Sequence, residues 1–279
     1  MHIFSQPSDV VAWRLSQQTC PIVLVPTMGA LHRGHLELIR EAKKTVGPHG
    51  RVIISIFVNP LQFDRALDLS SYPKPLKDDL ALCEEEAVDA VFCPAEKSMY
   101  ADGHSIQIHE TLLSRGLCGA TRPGHFSGVC TVVLKLFMIT GCTAAVFGCK
   151  DFQQLAIIQR MIRDLNLPVK IIAYPTVRET DGLAMSSRNT RLTPSHRADA
   201  PRIYQSLTAA APIHEVPQMI SAAEKILLDG EITRIDYLEH VDAETLQPAL
   251  NRTRPSVLAA AVYYDDVRLI DHIDLPAIH

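Results

Sequence analysis

The chain has 279 residues, 47% of them hydrophobic and 21% charged, with a formal net charge of −4. That balance excludes a disordered chain and leaves room for one large domain or two ordinary ones with a sizeable core. No basic excess exists to neutralise a phosphate backbone or an anionic surface, which argues against nucleic acid and membrane as partners but leaves open a pocket for one nucleotide. The cysteines, seven in number and without a C-x-x-C pair, read as reduced thiols of a cytoplasmic protein. The first residues do not read as a basic-plus-apolar signal segment. The longest apolar stretch, near Val129 to Ile139, contains Lys135 and is too short to span a bilayer.

Residues 1–20 read as a leading helix around Val10, Val11, Trp13 and Leu15. Ile22 to Val25 is a short buried strand, and Leu36, Leu38, Ile39, Ala42 and Val46 follow at helical spacing. The stretch between them, Pro26 to His35 (PTMGALHRGH), is therefore a strand-to-helix turn. In an open α/β sheet such turns lie where ligands bind. Gly29 allows a tight turn, and Gly34 lets a phosphate approach the helix start, where free N–H groups and the dipole favour anions. His32 and His35 share one face if the helix begins by His32, a donor pair suited to a polyphosphate. The bland alternative is a pair of surface residues at a helix cap. No Cys or third His stands at a metal-ligand spacing nearby.

Arg51 to Val58 is a second buried strand, ending in Asn59-Pro60-Leu61-Gln62-Phe63. The amides of Asn59 and Gln62 either line the same crevice or serve a turn and the solvent. Asp64 to Pro75 reads as a polar mobile loop. Lys77 to Val88 reads as a helix with Leu76, Leu80, Leu82, Cys83 and Ala87 inward, and with Asp78 and Asp79 suiting its dipole. Ala90 to Cys93 is a short strand, and His104 to Ile108 another short extended piece. Gly119 to Gly128 is a second Gly-rich loop carrying Arg122 and His125, followed by a helix from Val129 to Ile139. Ala144 to Phe147 is a strand leading through Gly148-Cys149-Lys150-Asp151 into a helix from Phe152 to Leu165. Lys150 suits a phosphate; Asp151 suits either a metal–phosphate unit or a helix cap. Val169 to Tyr174 is a strand.

The alternation of strand and helix predicts a Rossmann-like, doubly wound parallel sheet over residues 1–177. Neither G-x-G-x-x-G after the first strand nor G-x-x-x-x-G-K-[ST] is present, so dinucleotide redox and P-loop chemistry have no support. From Arg178 to Asn189 the chain is polar and cationic; Ser186, Ser187 and Arg188 suit a polyphosphate. Helices at His196 to Ala209 and Val216 to Leu228, then strands at Arg234 to Val241, Val257 to Tyr264 and Arg268 to Ile273, predict a smaller α+β domain over 178–279.

Five segments in order, PTMGALHRGH (26–35), FVNPLQF (57–63), RPGHFSGV (122–129), GCKDFQQL (148–155) and VRETDGLAMSSRN (177–189), resemble the pantoate–β-alanine ligases, of the H-x-G-H nucleotidyltransferase superfamily. The resemblance implies a C-terminal domain that closes over the site, and a homodimer. It implies ATP binding by Met28, Gly29, Ala30, Leu31, His32, Arg33, Gly34 and His35, by Gly148, Cys149, Lys150 and Asp151, and by Val177, Met185, Ser186, Ser187 and Arg188. His35 would be the active-site acid, with His32, Lys150 and Arg188 also catalytic. Gln62 would contact pantoate and β-alanine, and Gln154 pantoate. One departure is visible: Cys149 stands where the family usually has Glu or Gln. The implied reaction uses ATP with Mg2+ and no prosthetic group; Asp78, Asp79 and Asp151 are the candidate magnesium carboxylates. Pantoate's carboxylate attacks the α-phosphorus, pyrophosphate leaves, and the amine of β-alanine displaces AMP. The alternatives are adenylyl transfer to another acceptor such as phosphopantetheine or nicotinamide mononucleotide, a tRNA-recognising synthetase fragment, and a silent nucleotide-binding scaffold.

Overall fold

The computed structural model describes residues 1–17 and 20–278. Residues 18–19 of the predicted leading helix, and residue 279 at the end of the predicted second domain, lie outside the described residues. In chain order the elements are β1 (His2–Phe4), α1 (Pro7–Ser16), β2 (Ile22–Thr27), α2 (Arg33–Val46), β3 (Arg51–Ile56), α3 (Ala66–Ser70) and α4 (Leu76–Glu85). There follow β4 (Ala90–Phe92), α5 (Glu96–Met99), α6 (Leu117–Thr121), α7 (His125–Thr140), β5 (Ala144–Gly148), α8 (Phe152–Asp164) and β6 (Lys170–Tyr174). The last are α9 (Pro194–Asp199), α10 (Arg202–Ala210), α11 (Val216–Leu228), β7 (Arg234–Asp242), β8 (Ser256–Tyr264) and β9 (Val267–Leu275). Among the described residues no helix is long and apolar enough to cross a membrane. The chain divides into two compact units: Met1–Glu110, Arg122–Cys149 and Ile157–Pro175 form the first; Thr111–Thr121, Lys150–Ala156 and Thr176–His279 form the second.

The first unit is built on a six-stranded sheet of order β1-β4-β3-β2-β5-β6, with every pair parallel. Ile22 to Val25 and Val52 to Ile56 are buried along their whole length. A strand covered on both faces needs such an unbroken apolar run, and β-branched side chains suit its pleat. Strand order runs outward from β2 to β3 and β4, then restarts on its other side with β5 and β6. The topological switch point therefore lies between β2 and β5, where doubly wound sheets bind ligands. With Val23 opposite Ala144, the ends of these two strands, Thr27 and Gly148, reach the same edge.

Several expectations are corrected. The leading helix is preceded by β1, which pairs in parallel with β4. Three residues are too few for periodicity to register a strand. The 64–75 loop contains α3. Leu76 is exposed and Ala87 lies past the end of α4 with φ +50, so neither points inward. His104 to Ile108 joins no ladder. The predicted second loop is helical at both ends, because α6 occupies Leu117–Thr121 and α7 starts at His125. Gly128 is thus a packing glycine inside a helix: a Cβ there would stand 2.3 Å from the Leu61 carbonyl oxygen.

In the second unit an antiparallel sheet, β7-β8-β9, carries two unlike faces. One packs Leu258, Ala260, Val262, Tyr264, Leu269 and Leu275 against Ile203, Leu207, Met219, Ala223 and Leu227 of α10 and α11. On the other, Cys118 of α6 meets the Tyr237 hydroxyl at 3.2 Å, and the ring of Phe152 lies 4.6 Å from that of His272. Burial pushes the Tyr237 phenol up. Gln153 fixes these early segments to each other, accepting from the Cys118 N–H at 3.0 Å and donating to the carbonyls of Leu113 and Gly116, each at 2.9 Å. The single helix predicted over 196–209 is two, because Pro201 has no N–H to continue the ladder.

Candidate active site

The turn after β2 is shaped by two left-handed residues in succession, Gly29 (φ +80) and Ala30 (φ +49). Alanine is uncommon in this region, so something must hold it there. The holder is Asp79, on the first turn of α4 and 1% exposed. Its carboxylate accepts the N–H of Ala30 at 2.9 Å and of Leu31 at 2.7 Å. Burial pushes this carboxyl up, and the two N–H bonds oppose that push without cancelling it. Asp79 thereby holds the turn through both of its oxygens. Asp78 is exposed beside it.

The chain then enters α2 through a reciprocal cap made of two histidines. His32 is the N-cap, and its Nδ1 accepts the N–H of Gly34 at 3.1 Å; Nδ1 of His35 accepts the N–H of His32 at 3.3 Å. The rings stand 4.1 Å apart, so the expected shared face is present. An Nδ1 that accepts carries no proton, so each neutral imidazole has its N–H on Nε2. Capping by itself thus converts both histidines into Nε2 donors. Gly34 is buried and Arg33 exposed at the same helix start.

Gln62 follows β3 in a short turn and is buried. Its side-chain Nε2 donates to Sδ of Met28 at 3.1 Å. Its carbonyl oxygen accepts from Nδ1 of His125 at 2.7 Å and from Arg122 at 3.1 Å, while Arg122 also pairs with Asp64 at 2.9 Å. Arg122 and His125, singled out as donors in a loop, therefore clamp the backbone of Gln62. Asn59 donates to Oε1 of Gln62 at 3.0 Å and receives the Tyr100 hydroxyl at 2.7 Å. Nothing in the sequence around Tyr100 signals that contact.

Cys149, Lys150 and Asp151 form one short 3-10 turn after Gly148, the last residue of β5. In the second unit, Lys150 lies 3.4 Å from Asp151. Gln154 is half-buried on the first turn of α8. Val177 accepts the N–H of Met185 at 2.9 Å, closing the loop between them, and Met185 is buried. Ser186 caps the turn Ser187–Arg191 through the N–H of Arg188 at 3.2 Å. The loop is braced by Arg178, which pairs with buried Asp271 through bonds of 2.6 and 2.9 Å and stacks 3.5 Å from the Tyr204 ring. Among the described residues no three or more His, Cys, Asp or Glu stand together as a metal-ligand set.

A doubly wound parallel sheet with His32-Arg33-Gly34-His35 opening a helix at its switch point defines an α/β enzyme of the H-x-G-H nucleotidyltransferase kind. The family model for pantoate-beta-alanine ligase matches residues 2–274. The chain belongs to this family, and its enzymes are ATP-using ligases. The pantothenate synthetase of Akkermansia muciniphila is 51% identical over 258 residues, covering 91% of this chain and 92% of the relative. That of Thermosipho melanesiensis is 48% identical, covering 90% of each. The crystal structure of pantothenate synthetase from Thermus thermophilus superposes with a TM-score of 0.91 at 40% identity, covering 98% of this chain and 99% of that one. The Francisella tularensis ligase complexed with beta-gamma ATP and beta-alanine gives 0.83 at 35%, with coverages of 98% and 97%.

Proposed function

We propose that His32, His35, Lys150 and Arg188 are the catalytic residues with which this chain condenses pantoate with β-alanine through a pantoyl adenylate. Pantoate's carboxylate is ionised at neutral pH and attacks the α-phosphorus of ATP without a general base. Pyrophosphate leaves; the amine of β-alanine then attacks the acyl carbon, and AMP leaves. Such a site needs positioning and neutralisation of charge growing on phosphate oxygens. The observation that carries the reading is the reciprocal histidine cap, which fixes two Nε2 donors at a helix start without using a substrate to orient them. His35 acts as the principal donor. The turn from Met28 to His35, with Gly148 to Asp151, Val177 and Met185 to Arg188, binds ATP; Gln62 and Gln154 bind the small acids.

Magnesium enters with ATP. Asp78, Asp79 and Asp151 are the carboxylates that would face it, an ion that dehydrates reluctantly. The reading places the enzyme in the cytoplasm as a homodimer that acts on small molecules alone.

The test is pyrophosphate release from ATP with pantoate, phosphopantetheine, nicotinamide mononucleotide or tRNA supplied in turn; release with pantoate alone is expected. His35→Gln keeps a side-chain oxygen for the cap, as glutamine does at this helix position, but loses the imidazole donor. It should raise the barrier by about 2.7–4 kcal/mol, as should Lys150→Ala, with the fold intact. Near-wild-type adenylate formation in both would overturn the assignment.

A further inference from the structure

The geometry points to Tyr100 as a positioning residue that, through Asn59, sets the hydrogen-bond polarity of Gln62, so that the site accepts a substrate only where it offers Gln62 an acceptor oxygen. The inference rests on the ligase reading and extends it to a residue no sequence motif marks.

The chain of reasoning starts at a backbone carbonyl. A carbonyl oxygen can only accept. The Gly128 oxygen lies 3.1 Å from the side-chain nitrogen of Asn59, which fixes that amide's orientation. α7 comes close enough for this contact because residue 128 is glycine; any Cβ would collide with Leu61. With its nitrogen turned to Gly128, Asn59 presents its oxygen to the Tyr100 hydroxyl at 2.7 Å, and Tyr100 must donate. Burial pushes the Tyr100 phenol far above its usual range, with Glu96 adding to the push, so it keeps its proton. The second Asn59 N–H faces Oε1 of Gln62 at 3.0 Å. That donor fixes the Gln62 amide with its oxygen toward Asn59, leaving Nε2 as the end turned away from it. Nε2 points to the thioether of Met28, a weak acceptor that a carboxylate or hydroxyl oxygen would readily replace. Asn59 itself is 1% exposed, so an unsatisfied or flipped amide there carries the full desolvation penalty.

Tyr100→Phe is the test. The ring keeps its packing against Phe57 and His104, whose ring centroids lie 6.1 and 4.9 Å away, and only the hydroxyl is lost. The KM for pantoate or β-alanine should rise roughly three- to tenfold while the KM for ATP stays unchanged. Asn59→Asp, which sets an oxygen against two acceptors, should have a larger effect in the same direction. A readout without substrate separates this inference from the ligase reading: the Gln62 side-chain amide signals, followed by NMR, should shift and exchange faster with solvent in Tyr100→Phe. If those signals are unmoved, the relay is wrong whatever the enzyme ligates. If they move and the acid KM values stay at wild-type, the polarity claim fails.

Discussion

At the scale of single residues, Asp79 decides whether the turn after β2 holds its shape. Two consecutive N–H groups close on one buried carboxylate, and Ala30 is held left-handed by that closure. Asp79→Asn supplies one carbonyl oxygen and sets an NH2 group against the other N–H. One buried donor then lacks a partner, at a cost of about 1–3 kcal/mol. The expected outcome is a lower unfolding midpoint together with weaker ATP binding by calorimetry. Unchanged ATP affinity would mean the histidine cap holds the turn unaided. The contrast between these residues shows what sequence can convey. His32 and His35 are three positions apart, so helical spacing alone pairs them. Asp79 lies 49 positions from Ala30, and Tyr100 lies 41 from Asn59. No local rule reaches across such separations, and an aspartate in a first helical turn already has an ordinary explanation in the dipole.

At the scale of elements, the loop bearing Ser186 to Arg188 is held by a strut. Arg178 bonds to Asp271 on β9, donates to the Gly182 carbonyl at 3.1 Å and lies on the Tyr204 ring, while an isolated bridge joins Arg178 to Ala184. Gly182, at φ +95, makes the bend, and a Cβ there would stand 3.2 Å from that ring. Asp271→Ala leaves a guanidinium without its buried partner, which costs about 3–5 kcal/mol in such pairs. Limited trypsinolysis should then cut at Arg188 and Arg191 faster than in the wild type, and mass analysis of the fragments reads this directly. Equal cleavage rates would remove the strut. The same strut means that the order of this stretch comes from β9, some ninety residues on, not from local periodicity. Long parallel strands such as β2 and β3 were legible because burial on both faces writes an unbroken apolar run. β1 and the start of α7 were not, since three residues carry no period and Gly128 reads locally as a loop signal.

At the scale of the whole molecule, the buried histidines predict where acid acts first. His240, in β7, donates from Nδ1 to the Ala249 carbonyl at 2.7 Å and accepts from Ser256 at 2.8 Å, so its neutral form is satisfied on both sides. Burial holds its pKa below the ordinary 6.5, and Arg252 adds to this; the Ala249 bond opposes but does not win. His272, in β9, is likewise lowered by burial and by Arg178, against the pull of Asp271, Asp274 and Asp151. A histidine whose folded pKa is depressed contributes fully above 6.5 and loses its contribution as pH falls below it, because the unfolded chain takes up the proton first. The carboxylates of Asp181, lowered by Arg197, and of Asp199, lowered by Arg202 and Tyr264 despite burial, act in a later window, below 3.8. Both histidines belong to the second unit, whereas Trp13, the sequence's single tryptophan, is buried in the first. Measured at about pH 7.5 and about pH 5.5, the amide protection factors of β7 to β9, each referred to the intrinsic exchange rate at its pH, should therefore fall with acid more than does the stability read from the Trp13 fluorescence transition. His240→Gln, which cannot take up a proton, should flatten that dependence. Protection factors in these strands that are the same at both pH values would mean the two rings are reached by protons in the folded state, and that burial does not control their charge.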